Sequence, residues 1–348
     1  MILHNPRAVR APYPADLDQL MSLAAGRQSR AWLAAWPGLA PGATPLHDLP
    51  GLARALGLGA VLLKDEALRS PLGSFKALGA PIALVRLVLR LWPGAGWTAE
   101  QLFAGRHAAA LADFVVISAT DGNHGRALAA AAASLGCRCV IVLHAHVSQE
   151  REDAIAACGA QIVRIAGNYD DSVAEAARLA RLHGWQVVSD TSYDGYEDVP
   201  RDVMQGYAVI AEEALEAARD QPITHVLLQG GVGGLAAGVV SHFWARSGSA
   251  RPSFIVVEPE QADCLCQSAL KGRPARASGA VDSVMAGLAC GETSPLAWRF
   301  LQPAVDLFVT VSDADAEAAM RLLADGMHGD MPLVAGESGV AGLAVVSQ

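Results

Sequence analysis

The chain has 348 residues, with 26 Lys+Arg against 35 Asp+Glu, for a formal net charge of −9. A hydrophobic content of 52% with 18% charged residues excludes a disordered chain, and the acidic balance argues against nucleic acid or an anionic membrane surface as partner. At roughly 150 residues per domain, the length suggests about two domains with sizeable cores.

Residues 1–60 read as irregular and Pro-rich, with a helix around 16–35 and a short helix at 49–56. A strand is expected at 61–64. The most apolar stretch, 80–92, is interrupted by Arg86 and Arg90 and falls short of the ~20 residues of a membrane span. The start, Met1 to Pro6, lacks a signal-peptide layout, so the expected compartment is the cytoplasm. Strands at 115–118, 139–143, 161–165 and 186–188 then alternate with helices at 123–135, 149–158 and 171–183. Ser148 and Asp170 read as helix N-caps, and Gly136, Gly159 and Gly184 as stops. Further on come a helix at 199–219, a strand at 226–228, a helix at 235–244, strands at 254–258 and 307–311, and a helix at 313–323. Short, nearly all-apolar strands suit a sheet covered on both faces. Their alternation with helices implies parallel sheets with right-handed crossovers. Two α/β units interleave rather than follow one another.

Cysteines and histidines give no metal site. Cys137/Cys139 and Cys264/Cys266 are each separated by one residue, where zinc motifs use two to four. His144 and His146 would point the same way on a strand, without a third ligand nearby.

Two segments carry chemistry. Gly230-Gly231-Val232-Gly233-Gly234 lies between a strand and a helix, where backbone N–H groups form an anion nest. Residues 231–236 also fit the dinucleotide pattern G-x-G-x-x-G/A, and Glu258 lies 22 residues beyond Ala236, where a ribose-binding acid belongs. That reading gives an NAD-dependent oxidoreductase. The second segment is Gly73-Ser74-Phe75-Lys76, a lysine after a Gly-Ser turn at the head of an apolar helix. Desolvation there favours the neutral amine and Schiff-base chemistry.

Ser74-Phe75-Lys76, Thr120-Asp121-Gly122-Asn123-His124-Gly125 and the loop 230–234 together resemble fold-type II pyridoxal phosphate (PLP) enzymes. Longer phrases are similar to the diaminopropionate ammonia-lyase family: Ser189-Asp190-Thr191, Asp194-Gly195-Tyr196, Met204-Gln205-Gly206-Tyr207, Met285 to Glu292, and Gly336-Glu337-Ser338-Gly339. The resemblance spans about residues 40–345.

The resemblance implies an α/β fold of fold-type II: two interleaved three-layer α/β/α domains with mostly parallel sheets. The large domain is 1–82 with 194–348, and the small one 83–193. It implies PLP as cofactor, a small amino-acid substrate and a homodimer. Lys76 would carry the cofactor, with Phe75 beside it. Asn123 would hydrogen-bond the ring, and Gly231, Val232, Gly233 and Gly234 would hold the phosphate. Ala119, Thr120, Asp121 and Asp190 would meet the substrate. Asp121 and Asp190 would serve as bases on opposite faces of the α-carbon, so that both enantiomers of 2,3-diaminopropionate undergo α,β-elimination to pyruvate and ammonia. The alternatives are a threonine or serine dehydratase, the oxidoreductase, and a non-catalytic PLP-binding relative.

Two departures bear on the pocket. The family phrase D-T-A-W is Asp190-Thr191-Ser192-Tyr193 here, and Q-A-G-V-G is Gln229-Gly230-Gly231-Val232-Gly233. In the family the segment after Glu337-Ser338-Gly339 runs into a helix and a further strand that faces the pyridine nitrogen. Here the sequence stops at Gln348, about three turns into that helix. Either the chain is naturally short or the sequence is part of a longer one, and a naturally short chain is expected to bind PLP more weakly and be less stable. Pairing between Cys264 and Cys290, both in shared phrases, is left open.

Overall fold

A computed structural model describes residues 1–120, 122–219, 221–326 and 329–347. In chain order the elements are β1 (Ile2–His4), α1 (Ala15–Leu20), α2 (Leu23–Leu33), β2 (Leu46–Asp48), α3 (Pro50–Leu56), β3 (Leu62–Lys64), α4 (Lys76–Leu91), α5 (Ala99–Phe103), α6 (Ala108–Leu111), β4 (Val115–Ala119), α7 (Asn123–Leu135), β5 (Arg138–Leu143), α8 (Gln149–Ala156), β6 (Gln161–Arg164), α9 (Tyr169–His183), β7 (Gln186–Val187), α10 (Asp198–Ala218), β8 (His225–Gln229), α11 (Gly234–Ser247), β9 (Ser253–Pro259), α12 (Cys264–Lys271), α13 (Pro295–Ala304), β10 (Val305–Val311), α14 (Asp313–Asp325) and α15 (Ala341–Val346).

Two four-stranded sheets organise the chain. The first, β6-β5-β4-β7, is wholly parallel. Alternate residues of its strands face opposite layers. Val115, Ile117, Val140 and Val142 pack on Ala176 and Ala180 of α9, while Val116, Cys139, Ile141 and Leu143 pack on α7 and α4. The second sheet, β1-β10-β9-β8, is parallel except for β1. Phe254, Val256 and Phe308 face α10, α11 and α13, while Ile255, Val257, Val309 and Val311 face α3, α14 and α15. Each unit is therefore an α/β/α sandwich, as expected. Strands β2 and β3 form a separate antiparallel pair.

Several boundaries differ from the sequence reading, each for a local reason. The helix expected over 16–35 is two helices. Met21 is extended, and the Ser22 hydroxyl accepts from Ala25 N–H at 3.2 Å, starting α2 afresh. Helix α9 starts two residues earlier than expected, because Asn168 rather than Asp170 is its cap. Asn168 and Asp171 satisfy each other's backbone N–H groups in a capping box. Residues 2–4, read as irregular, are β1, antiparallel to β10. His144 and His146 lie in the turn after β5 rather than on a strand, so strand alternation does not align them.

Helices α4, α10 and α11 stack through glycines. A Cβ on Gly206 of α10 would overlap the Leu78 carbonyl of α4, 2.8 Å from its carbon, and one on Gly79 would lie 2.7 Å from Val203 and Tyr207. On the other side, a Cβ on Gly238 of α11 would lie 2.5 Å from the Met204 carbonyl oxygen of α10. A buried ionic cluster also ties the β2–β3 region to α10. The Glu213 carboxylate takes Lys64 Nζ at 2.7 Å and Arg69 Nη2 at 2.6 Å, and Glu66 bridges the same two cations.

Overpacking a core costs about 1–3 kcal/mol, occasionally more. The obstacle at Gly206 is backbone, so Gly206→Ala should destabilise at the upper end of that range. Gly59→Ala, which meets nothing within 4 Å, should stay within about 1 kcal/mol of the unaltered chain. Urea unfolding of the two variants checks this.

Candidate active site

Lys76 is the first residue of α4. Gly73, at φ +66, turns the chain into the helix, and the Ser74 hydroxyl accepts from Lys76 N–H at 3.3 Å. Lys76 Nζ donates to Asp190 Oδ2 at 2.5 Å. The two side chains are 25% and 22% exposed. Burial alone would lower the lysine's pKa, but the Asp190 carboxylate outweighs it and holds the ammonium well above its ordinary value. Burial would likewise raise Asp190, but Lys76 and then His124 pull it well below the usual carboxylate range. The amine expected to be neutral by desolvation is thus kept charged by a carboxylate partner.

Asp190 follows β7. The register Ile117↔Val187 carries β4 and β7 to carboxyl ends on the same side of the sheet, where open α/β sheets build their sites. The Tyr196 hydroxyl fixes this stretch, accepting from Ser189 N–H at 2.9 Å and donating to Val187 O at 3.0 Å. The two departures at 192 and 193 have roles in the fold. Ser192 Oγ accepts from Leu296 N–H at 2.9 Å, serving the start of α13, and Tyr193 stacks on Tyr196 with ring centroids 4.8 Å apart.

Four further side chains surround the pair. Phe75 meets Tyr207 of α10 edge-on, with centroids 5.0 Å apart, and Lys76 Nζ lies 5.6 Å and 5.9 Å from those two rings. His124, in the first turn of α7, has Nδ1 at 3.9 Å from Asp190 Oδ2. The Cys290 thiol is pushed up to about 12, chiefly by burial. Sequence reading gave roles to Phe75 but not to His124, Tyr207 or Cys290, although each stood in a quoted phrase.

The glycine loop joins β8 to α11. Gly231 and Gly233 have φ of +64 and +101, a region glycine enters without strain. The loop is pinned by Gly230 N–H to Val257 O at 2.8 Å and by Ser294 N–H to Val232 O at 3.0 Å. Its neighbour is the ion pair: a Cβ on Gly234 would lie 3.8 Å from the Asp190 carbonyl oxygen. Glu258 is not at the loop's open side. It is fully buried and accepts from Leu265 and Cys266 N–H at 2.9 and 2.8 Å, so it caps α12. Burial pushes its pKa up to about 8. A ribose hydroxyl has no access to it, which removes the geometric basis of the oxidoreductase reading.

The remaining expected residues are less tightly drawn in. Ala119 and Thr120 are half-buried at the end of β4, and the Thr120 hydroxyl accepts from Gly122 N–H at 3.5 Å. Asn123 is exposed, with Oδ1 accepting from Arg126 at 3.4 Å. Asp121 lies outside the described residues. Beyond the loop, α15 lays Ala341 and Ala344 on the second sheet, with Leu343 and Val345 half-buried. Among the described residues no group of three His, Cys, Asp or Glu converges as a metal site, and no helix is long and apolar enough to cross a membrane.

These residues fit PLP. A phosphate needs convergent N–H donors free of side chains. Helix α11 begins at Gly234, and its N-cap Gly233 offers no side-chain cap, which leaves first-turn donors for an anion. An aldehyde needs an amine beside that anion site, and Lys76 reaches it through Asp190.

Comparison with known proteins agrees. Diaminopropionate ammonia-lyase of Escherichia coli strain K12 is 39% identical over 307 residues, 87% of this chain and 76% of that protein. The crystal structure of the selenomethionine-labelled holo form from Escherichia coli superposes with a TM-score of 0.88 at 35% identity, covering 100% of this chain and 86% of that one. The Escherichia coli enzyme in complex with D-serine gives a TM-score of 0.87 at 36% identity, with 100% and 86% covered. The family model of pyridoxal-phosphate dependent enzymes matches residues 38–348, and the chain belongs to that family, with PLP as its cofactor.

Proposed function

We propose that the chain is a PLP-dependent ammonia-lyase that converts both enantiomers of 2,3-diaminopropionate to pyruvate and ammonia by α,β-elimination. The observation that carries the reading is Asp190 Oδ2 on Lys76 Nζ at 2.5 Å, beside the glycine loop: a candidate base adjoins the cofactor's amine. Kinship to a lyase of that name, and to its D-serine complex, supports the substrate class.

PLP supplies an electron sink for the pair left at the substrate's α-carbon. The protein binds, aims and moves protons. Lys76 holds the cofactor through its amine, with Phe75 and Tyr207 walling the amine. The N–H groups of Gly231, Val232 and Gly234 take the phosphate, joined by Gly233 N–H, which also donates to Gly230 O at 3.3 Å, and Asn123 takes the ring hydroxyl. Ala119 and Thr120 at the end of β4 receive the substrate carboxylate. Asp190 accepts the α-proton from one face and Asp121 from the other, while the two carboxylates favour a substrate bearing two ammonium groups. Cleavage of the β-carbon–nitrogen bond releases one ammonia, and hydrolysis of the remainder releases the second with pyruvate.

The division into 1–82 with 194–348 and 83–193 is supported by sheet membership. Strands β4 to β7 fall in one sheet, and β1, β8, β9 and β10 in the other. The boundary at 82 lies within α4, the helix shared by both. A homodimer in the cytoplasm completes the proposal, and light scattering of the purified chain tests the dimer.

Lys76→Ala should abolish the yellow absorbance of lysine-bound PLP together with turnover, and a retained band refutes the assignment. A positioned base contributes about 10²–10⁴-fold. Asp190→Asn should therefore lose about that factor on one enantiomer of diaminopropionate, and Asp121→Asn on the other, in an ammonia-release assay. Faster release from serine or threonine than from diaminopropionate would establish a dehydratase instead.

A further inference from the structure

His124 is 3% exposed and has no part in the assignments above. Its Nε2 lies 2.9 Å from the Val188 carbonyl oxygen. A carbonyl only accepts, so Nε2 carries the hydrogen. In the neutral ring Nδ1 is then a bare lone pair. That atom is buried and has no hydrogen-bond partner among the described residues. It faces Asp190 Oδ2 at 3.9 Å, the oxygen that also takes Lys76. Two acceptors facing each other repel, and one proton between them makes a hydrogen bond. The gap is about 1 Å beyond hydrogen-bond length, within reach of rotation about the soft Asp190 χ2.

We propose that His124 is a positioning residue that acts through Asp190: its Nδ1 receives the proton that Asp190 takes from the substrate's α-carbon, and so restores the carboxylate. The Asp190 O–H bond breaks and the Nδ1–H bond forms. The imidazolium donates Nδ1–H to Asp190 and Nε2–H to Val188. Ammonia released in the same turnover is the stronger base and carries the proton off as ammonium.

The charged groups facing the ring are Asp190, which favours the imidazolium, and Lys76, which opposes it. Burial is the largest influence, and the net result lies below the ordinary histidine value. The ring is therefore neutral and ready to accept. Tyr207 and Cys290 near the pair are held protonated by burial.

The proposal rests on the elimination reading, so its first test needs no substrate. ¹⁵N-histidine spectra of the PLP-loaded full chain are recorded between roughly pH 5 and 9, with His124→Gln assigning the resonance. The expected result is a neutral Nε2–H ring whose titration midpoint falls by about one unit in Asp190→Asn. A neutral Nδ1–H ring, or the same midpoint in both proteins, overturns the proposal. In turnover, His124→Gln can still donate to Val188 but cannot take up a proton. It should lower kcat about 10- to 100-fold on the enantiomer that Asp190 serves, with KM little changed and the acid limb of the pH profile displaced. Equal losses on both enantiomers overturn it. A chain inactive on diaminopropionate refutes the elimination and leaves the spectra to decide for His124.

Discussion

The distance between Lys76 and the glycine loop is set by one helix, α10, and by the glycines that let its two neighbours approach it closely. Gly206 and Gly79 let α4 come down on one side, and Gly238 lets α11 come down on the other. Lys76 opens α4 and the glycine loop opens α11, so the amine and the loop are the ends of two rods spaced by a third. Helix–helix separation depends on the side chains at the crossing. Backbone-to-backbone contact fixes it most rigidly, because no rotamer can give way.

Electrostatics then complete what packing positions. A half-buried lysine gains or loses its proton according to its partner, not its burial alone. Asp190 is that partner, and it comes from 114 residues further along the chain, on the loop after β7. The same balance recurs away from the site, where Glu213 sits buried between Lys64 and Arg69. Removing one member of such a cluster leaves an uncompensated charge, which is why buried ionic groups occur here as closed sets.

Much of this was legible in the chain. Helix α7 runs from Asn123 to Leu135 as read, because its alanines are followed by Gly136 at φ +78. The positive φ of Gly231 and Gly233 lies in a loop recognisable from composition. What escaped the reading depends on partners remote in sequence. Three residues at 2–4 carry no strand signal until β10 lies beside them. Glu258 stands at the spacing of a ribose-binding acid, yet the N–H groups of Leu265 and Cys266 make it a helix cap. His124 was read as one letter of a loop phrase. Its environment is made by Val188 and Asp190, more than 60 residues later.

The pairing of β1 with β10 also dictates an order of assembly. Ile2 lies against Val309, so β1 waits for about 300 further residues of chain before it finds its place. Closing so long a loop is entropically unfavourable until neighbouring contacts exist. The sheet built from residues 115–187 has all its strands in hand much earlier. At ~5–20 residues per second, it can collapse several seconds before the other sheet is complete, and it would then serve as the template on which α10 and everything after it settles.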